Sequence, residues 1–218
     1  MRKPDGPDNR HTVAMAPGDP DRLGRTFQRS GRLALAAVQA FRTVRDMPYA
    51  TNAAHDADAL RRVGRGDCLA KSALLIEELQ GLGLCARRVR WRYLLPEHPV
   101  EVRLLPTRYD VHSAVQVRLG ERWALVDATH DSLLAAKLTV ADWDGASHTP
   151  PAYEPAGPIW VDGQHDDEIR AEIEEIVQRW HGVSPSVGPT YQRAFNAWLD
   201  ELRSSHEGGL TPRGGPSA

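Results

Sequence analysis

Three short stretches carry residue types able to do covalent chemistry. Cys68 opens an expected helix in Gly66-Asp67-Cys68-Leu69-Ala70-Lys71. His112 lies within Tyr109-Asp110-Val111-His112-Ser113-Ala114-Val115, and Asp127 within Trp123-Ala124-Leu125-Val126-Asp127-Ala128-Thr129. A thiol at a helix start meets free N–H groups and the positive end of the helix dipole, both of which favour the thiolate. A histidine takes or returns its proton, and a carboxylate orients the imidazole. Nucleophile, base and orienting acid are the equipment of covalent acyl transfer. The competing reading of Cys68 is a buried structural thiol.

The elements that must position these residues are legible in part. Leu23 to Met47 is expected to be a helix, with Phe27, Ala34, Val38 and Phe41 on one stripe, ended by Pro48. Residues 47–52 are expected to be a turn, and His55 to Arg62 a short helix. Asp67 to Leu82 follows as a helix with Leu74, Leu75, Leu79 and Leu82 inward, stopped by Gly81 and Gly83. Val89, Trp91 and Tyr93 alternate with Arg88, Arg90 and Arg92, the period of a strand. Gly120-Glu121 fits a two-residue type II′ turn between strands Val111–Leu119 and Arg122–Ala128. Leu119 opposite Arg122 then sets Ala114 opposite Asp127 and His112 opposite Thr129. His112 and Asp127 become a diagonal pair on one face, roughly 7–8 Å apart at Cα. A slip of one residue would separate them. Trp143 to Pro158 is irregular. Ile169, Ile173, Ile176 and Trp180 form one closing amphipathic face, and Tyr191, Phe195, Trp198, Leu199 and Leu202 another.

The 218 residues, 41% of them hydrophobic, suffice for one cored domain with a helical extension. A net charge of -2 gives no electrostatic pull toward nucleic acid or an anionic membrane. Cys68 and Cys85 form neither a disulfide framework nor a zinc spacing, and a reducing compartment is the simpler reading. No apolar run approaches a membrane span. The polar ends, rich in Gly, Pro and Asp at the start, are expected to be a disordered arm over 1–22 and a disordered tail over 206–218.

The chain resembles the transglutaminase-like superfamily of papain-fold cysteine enzymes. Gly66-Asp67-Cys68 through Leu82-Gly83-Leu84-Cys85-Ala86-Arg87 is similar to that family's Gly-x-Cys helix and following Gly-Ile-Pro-Ala-Arg strand entry. His112 and the stretch Trp123 to Asp127-Ala128-Thr129 are similar to its His strand and its Trp-x-x-x-Asp-Pro-Thr strand. The likeness covers about Tyr49 to Thr129 and points to a bacterial branch. It departs at His112-Ser113-Ala114-Val115-Gln116, where the family often has His-Ala-Trp-Val-Glu, and at Ala128 and Cys85, where it often has proline.

The resemblance implies an α+β fold with a papain/transglutaminase-like core, the catalytic helix packed on an antiparallel sheet between flanking N- and C-terminal helices. The catalytic domain would span 23–162 and a C-terminal helical extension 163–205. By resemblance, Cys68 is the nucleophile, His112 the general base and acid, and Asp127 the orienting carboxylate. Tyr49 is the candidate oxyanion donor, with Asn52 a second choice. The expected function is thioester-mediated acyl transfer on a peptide, protein or small amide or ester, by hydrolysis or transamidation. A non-catalytic module that kept the fold is the alternative. No cofactor, metal, nucleic acid or membrane partner is expected, and the cytoplasm is the expected location.

Other residues have blander expectations. Cys85 is expected to be a shielded core thiol, and His130 a solvent or capping histidine, with a cleft-lining residue as the alternative. Asp110, two before His112 on the same face, is expected at the loop edge, with a rival to Asp127 as the alternative. The arginine stripe is expected to be a sheet face balanced by carboxylates, with binding of an acidic substrate as the alternative. Asp142 and Asp144 beside Trp143 are too few ligands for a metal loop.

Overall fold

A computed structural model describes residues 20–183 and 186–208. Residues 1–19 of the expected arm and 209–218 of the expected tail lie outside the described residues. The helices are α1 (Pro20–Arg45), α2 (Ala57–Val63), α3 (Cys68–Gly81), α4 (Asp166–Val183) and α5 (Val187–Gly208). The strands are β1 (Tyr49–Ala54), β2 (Ala86–Leu94), β3 (Tyr109–Leu119), β4 (Arg122–Val126) and β5 (Trp160–Val161). Among the described residues this is an α+β arrangement of five helices and a four-stranded antiparallel sheet ordered β4-β3-β2-β5.

The β3–β4 hairpin has the expected register. Leu119 pairs with Arg122 and Val115 with Val126. Gly120 has φ 64, and among the described residues no other residue type takes a positive φ, so the turn has its left-handed position at glycine alone. Beyond Val126, β4 leaves the sheet and the β3 edge opens toward Tyr109. On one face, Val115, Val117, Ala124 and Val126 pack against Leu74, Leu75 and Leu79 of α3 and Phe41 of α1. On the other, Val89, Trp91, Tyr93 and Ala114 pack against Tyr49, Tyr153 and the α5 residues Tyr191, Phe195 and Leu199.

Three expected elements differ. α1 begins at Pro20, three residues before Leu23, and α5 runs to Gly208, into the expected tail. The expected turn at 47–52 is instead the start of β1. Tyr49 and Ala54 bridge to Gly66, and side-chain partners come from far along the chain. The Tyr49 N–H donates to Asp131 Oδ2 at 3.0 Å, and the Thr51 N–H to Asn196 Oδ1 at 2.9 Å. A local pattern ended by proline carries no sign of such partners.

Polar groups fix how these layers meet. Lys71 in α3 is buried, and its Nζ donates to the carbonyls of Arg45, Met47 and Thr129 at 2.8, 2.7 and 2.7 Å. Arg203 in α5 donates to both Asp131 carboxylate oxygens and, at 2.7 Å, to the Tyr49 carbonyl. Gly66, just before α3, donates its N–H to the Pro48 carbonyl. A Cβ there would lie 2.8 Å from the Ala54 carbonyl oxygen, a backbone atom that cannot rotate away. Gly66→Ala should therefore lower stability by about 1–3 kcal/mol. Urea denaturation checks this, and an unchanged midpoint would mean that the β1 backbone yields freely.

Candidate active site

The site begins at the entrance to α3. Asp67 is its N-cap: Oδ1 accepts the Ala70 N–H at 2.9 Å, while Oδ2 lies 2.6 Å from His55 Nδ1. The next residue, Cys68, stands in the first turn, with the Ser113 backbone N–H near enough to favour its charged form. The body of α3 packs on the sheet face opposite His112. Its N-terminus reaches the β3 edge that β4 has left open, and Cys68 there joins the aromatic cluster of the other face. Cys68 thus packs on the sheet face that carries His112, while the body of its helix packs on the other.

His112 is fully buried, with Nε2 2.8 Å from Asp127 Oδ2. The hairpin register predicted this diagonal contact. Asp127 Oδ2 also accepts the Ala152 N–H at 2.8 Å, and Oδ1 accepts the Thr129 N–H at 3.1 Å. Burial by itself would raise this carboxyl, but the His112 ring and these donors outweigh it and hold Asp127 at about 2. An ionised carboxylate only accepts, so Nε2 carries the ring proton. In the neutral ring Nδ1 is then the basic nitrogen. Nδ1 is buried and has no protein partner.

Three aromatic rings hold the imidazole edge-on: Trp91 at 4.8 Å, Tyr153 at 5.2 Å and Tyr93 at 5.9 Å between centroids. Tyr93 and Tyr153 also lie within electrostatic reach of the Cys68 sulfur. Cys68 packs against the same aromatic cluster that encloses the ring. Sequence reasoning missed both tyrosines as site residues. The alternation of Trp91 and Tyr93 was the available signal, whereas Tyr153 lies in an irregular stretch that offers none.

Cys68 opens on a cavity of about 290 Å³ lined by Tyr49, Arg90, Tyr93, Asp110 and Ser113, with Ile173 of α4 and Gln192 of α5. Tyr49 is buried, and burial pushes its hydroxyl well above the usual range, so it remains a donor. Asn52, the second choice, is exposed and does not line the cavity.

The thiol itself departs from expectation. Burial pushes it well up, and Asp67, Asp110 and Asp127 add to the effect against the opposing Ser113 N–H. The resting sulfur is a thiol, despite its helix start. Cys85, expected to be shielded, is exposed. Iodoacetamide at pH 7 should consequently label Cys85 before Cys68, as read by peptide mapping. Faster labelling of Cys68 would mean a resting thiolate.

The remaining candidates resolve individually. His130 is buried, neither a solvent nor a capping residue. Its Nδ1 lies 2.8 Å from the Thr139 carbonyl, and burial pulls it down to about 4. Arg90 pairs with Asp162 at 2.8 Å, and Arg88 and Arg92 have Asp162 and Glu172 within 3.6 Å, as the balanced-face expectation requires. Asp142 pairs with Arg42 and Arg45, and Asp144 accepts the Ala146 and Ser147 N–H groups. Among the described residues, no group of three or more His, Cys, Asp or Glu could hold a metal ion. No described helix is long and apolar enough to cross a membrane.

Neither a protein-family model nor a curated protein matches the chain. Among solved structures, it aligns with a "Crystal structure of a TGase" at 15% identity and a TM-score of 0.32, over 52% of this chain and 34% of that one. The chain spans about a third of that protein's length. A TM-score this low carries no inference about fold or chemistry, so the candidate site stands on its own geometry.

Proposed function

We propose that the protein is a cysteine-dependent acyl-transfer enzyme in which Cys68, His112 and Asp127 act as one unit. The observation that carries this reading is the buried His112–Asp127 pair, whose second imidazole nitrogen has no protein partner and whose ring is enclosed by the aromatic cluster that Cys68 packs against. The Cys68 thiol adds to an amide or ester carbonyl as its proton passes to His112 Nδ1. Proton transfer and attack are coupled, because the cavity disfavours a free thiolate. The tetrahedral oxyanion receives the Tyr49 hydroxyl or backbone N–H groups at the start of α3. The leaving group departs with the His112 proton, and water or an amine then resolves the thioester. The substrate is a peptide, a protein or a small amide or ester, and the transglutaminase-like resemblance of the three motifs supports the same chemistry. A cytoplasmic location accords with two free cysteines.

One observation favours the alternative of a non-catalytic module: three carboxylates and burial oppose ionisation of Cys68. Intact mass after brief mixing with a library of activated esters separates the two readings. A covalent acyl adduct that maps to Cys68 and turns over is expected. No adduct, or one confined to Cys85, would leave the module.

A further inference from the structure

The charges in the Cys68 cavity do not balance. Asp67 has both carboxylate oxygens occupied, by the Ala70 N–H and by His55. Arg90 is held by Asp162. Asp110 also lines the cavity, but only its Oδ1 is engaged, by the Val111 N–H at 2.7 Å. Its other oxygen has no protein partner among the described residues, and no described cation pairs with it. Tyr93, directly opposite Asp110 across β2 and β3, adds an aromatic ring to the same lining. An open carboxylate oxygen beside an aromatic wall suits an ammonium or guanidinium ion.

Resting on the acyl-transfer reading above, we propose that Asp110 is a specificity-determining residue that binds a fixed positive charge on the acyl portion of the substrate. The charge belongs to the acyl donor for a chemical reason. An amine acceptor must attack as the free base, and these carboxylates would keep it protonated. A cation on the donor is never asked to react. It also neutralises the negative field around the sulfur at the step when the thiol must lose its proton, so the correct substrate assists its own attack. Asp110 and Ser113 are three residues apart on β3, roughly 10 Å. Allowing for both side chains, about three to five methylenes would join the cation to the carbonyl.

The bond changes are those of acylation. The Cys68 S–H proton goes to His112 Nδ1 as the S–C bond forms. The bond from the carbonyl carbon to the leaving group then breaks, and the leaving group takes that proton. Water restores the thiol and releases the cationic acid.

The test uses two matched substrates: the 4-nitrophenyl ester of 4-(trimethylammonio)butyrate and that of its uncharged isostere, 5,5-dimethylhexanoate. Nitrophenolate release is measured with the full chain, with Cys68→Ala as the blank. The cationic ester should be favoured in kcat/KM by about tenfold or more. In Asp110→Asn and Asp110→Ala that ratio should collapse toward unity, with KM for the cationic ester rising. A second measurement needs no turnover: modification of Cys68 by cationic and anionic methanethiosulfonates, with exposed Cys85 as the internal reference. The cation-to-anion rate ratio at Cys68 should exceed that at Cys85, and the excess should vanish in Asp110→Asn. Equal turnover of the two esters, or a preference that survives both substitutions, overturns the proposal while leaving acyl transfer intact. Absence of Cys68-dependent turnover of either ester overturns acyl transfer, and this proposal with it.

Discussion

Asp127→Asn should lower kcat by about four orders of magnitude while leaving the chain folded. The carboxylate holds the proton on His112 Nε2 and so keeps Nδ1 basic. Asparagine offers an NH₂ as well as a carbonyl. An NH₂ turned toward Nε2 reverses the tautomer, leaving no base for the thiol. The substitution also carries a stability cost with a definite pH window. Asp127 is held at about 2 in the folded chain and titrates near 3.9 when unfolded. Its contribution of about 2–3 kcal/mol is fully present above the unfolded value. It is lost as pH falls from about 4 through about 2. Single-turnover acylation gives the rate effect, and acid titration of unfolding gives the window. Activity within tenfold of the parent would remove Asp127 from the triad. An unchanged acid midpoint would contradict its electrostatic role.

Lys71→Met should destabilise the protein by about 3 kcal/mol at pH 7, as read by urea denaturation. Methionine is unbranched and one heavy atom shorter, and it strands the carbonyls of Arg45, Met47 and Thr129, which converge on Nζ. Only an ammonium has three N–H groups for three acceptors. Burial opposes that charge and pulls Lys71 down to about 7, with Asp131 and Asp127 acting the other way. Methionine also removes this burial penalty, so the net loss is smaller than three unmade hydrogen bonds. The sign of the pH effect follows. Between about 7 and the unfolded value near 10.4, the unfolded chain binds more protons. The parent therefore gains stability relative to Lys71→Met as pH rises through that window. A loss below about 1 kcal/mol at pH 7 would mean that the stranded carbonyls find other donors.

The contact between His112 and Asp127 was legible in the sequence because a two-residue turn at Gly120 fixes the register. Register alone sets which residues share a face. The position of Cys68 at the head of α3 was legible for a similarly local reason, the Gly66-Asp67 loop and N-cap. What the sequence left hidden depends on contacts distant along the chain. β1 looked like a turn because, beyond its bridges to Gly66, its backbone is held by the side chains of Asp131 and Asn196. The helix-start argument about the thiol failed because burial outweighs the dipole, and because Asp110 and Asp127 add to the opposing charge of Asp67. Cys85 looked apolar in its neighbours and proved exposed. The residues that enclose the imidazole come from β2 and from the irregular stretch near Tyr153, and only the first has a periodic signature.

The clasp between Arg203 and Tyr49 bears on when the chemistry becomes available. The two residues are 154 positions apart, and Asn196 and Thr51 are 145 apart. Contacts of such separation form late, because a long loop must close before they contribute anything. Tyr49 and Gln192 wall the cavity around Cys68, and α5 carries both Gln192 and the arginine that anchors Tyr49. A chain still emerging from the ribosome can therefore fold α3 and the hairpin well before its nucleophile has a pocket to work in. If Cys68 is the nucleophile proposed above, the clasp acts as a timer that withholds a competent thiol site from the incomplete chain.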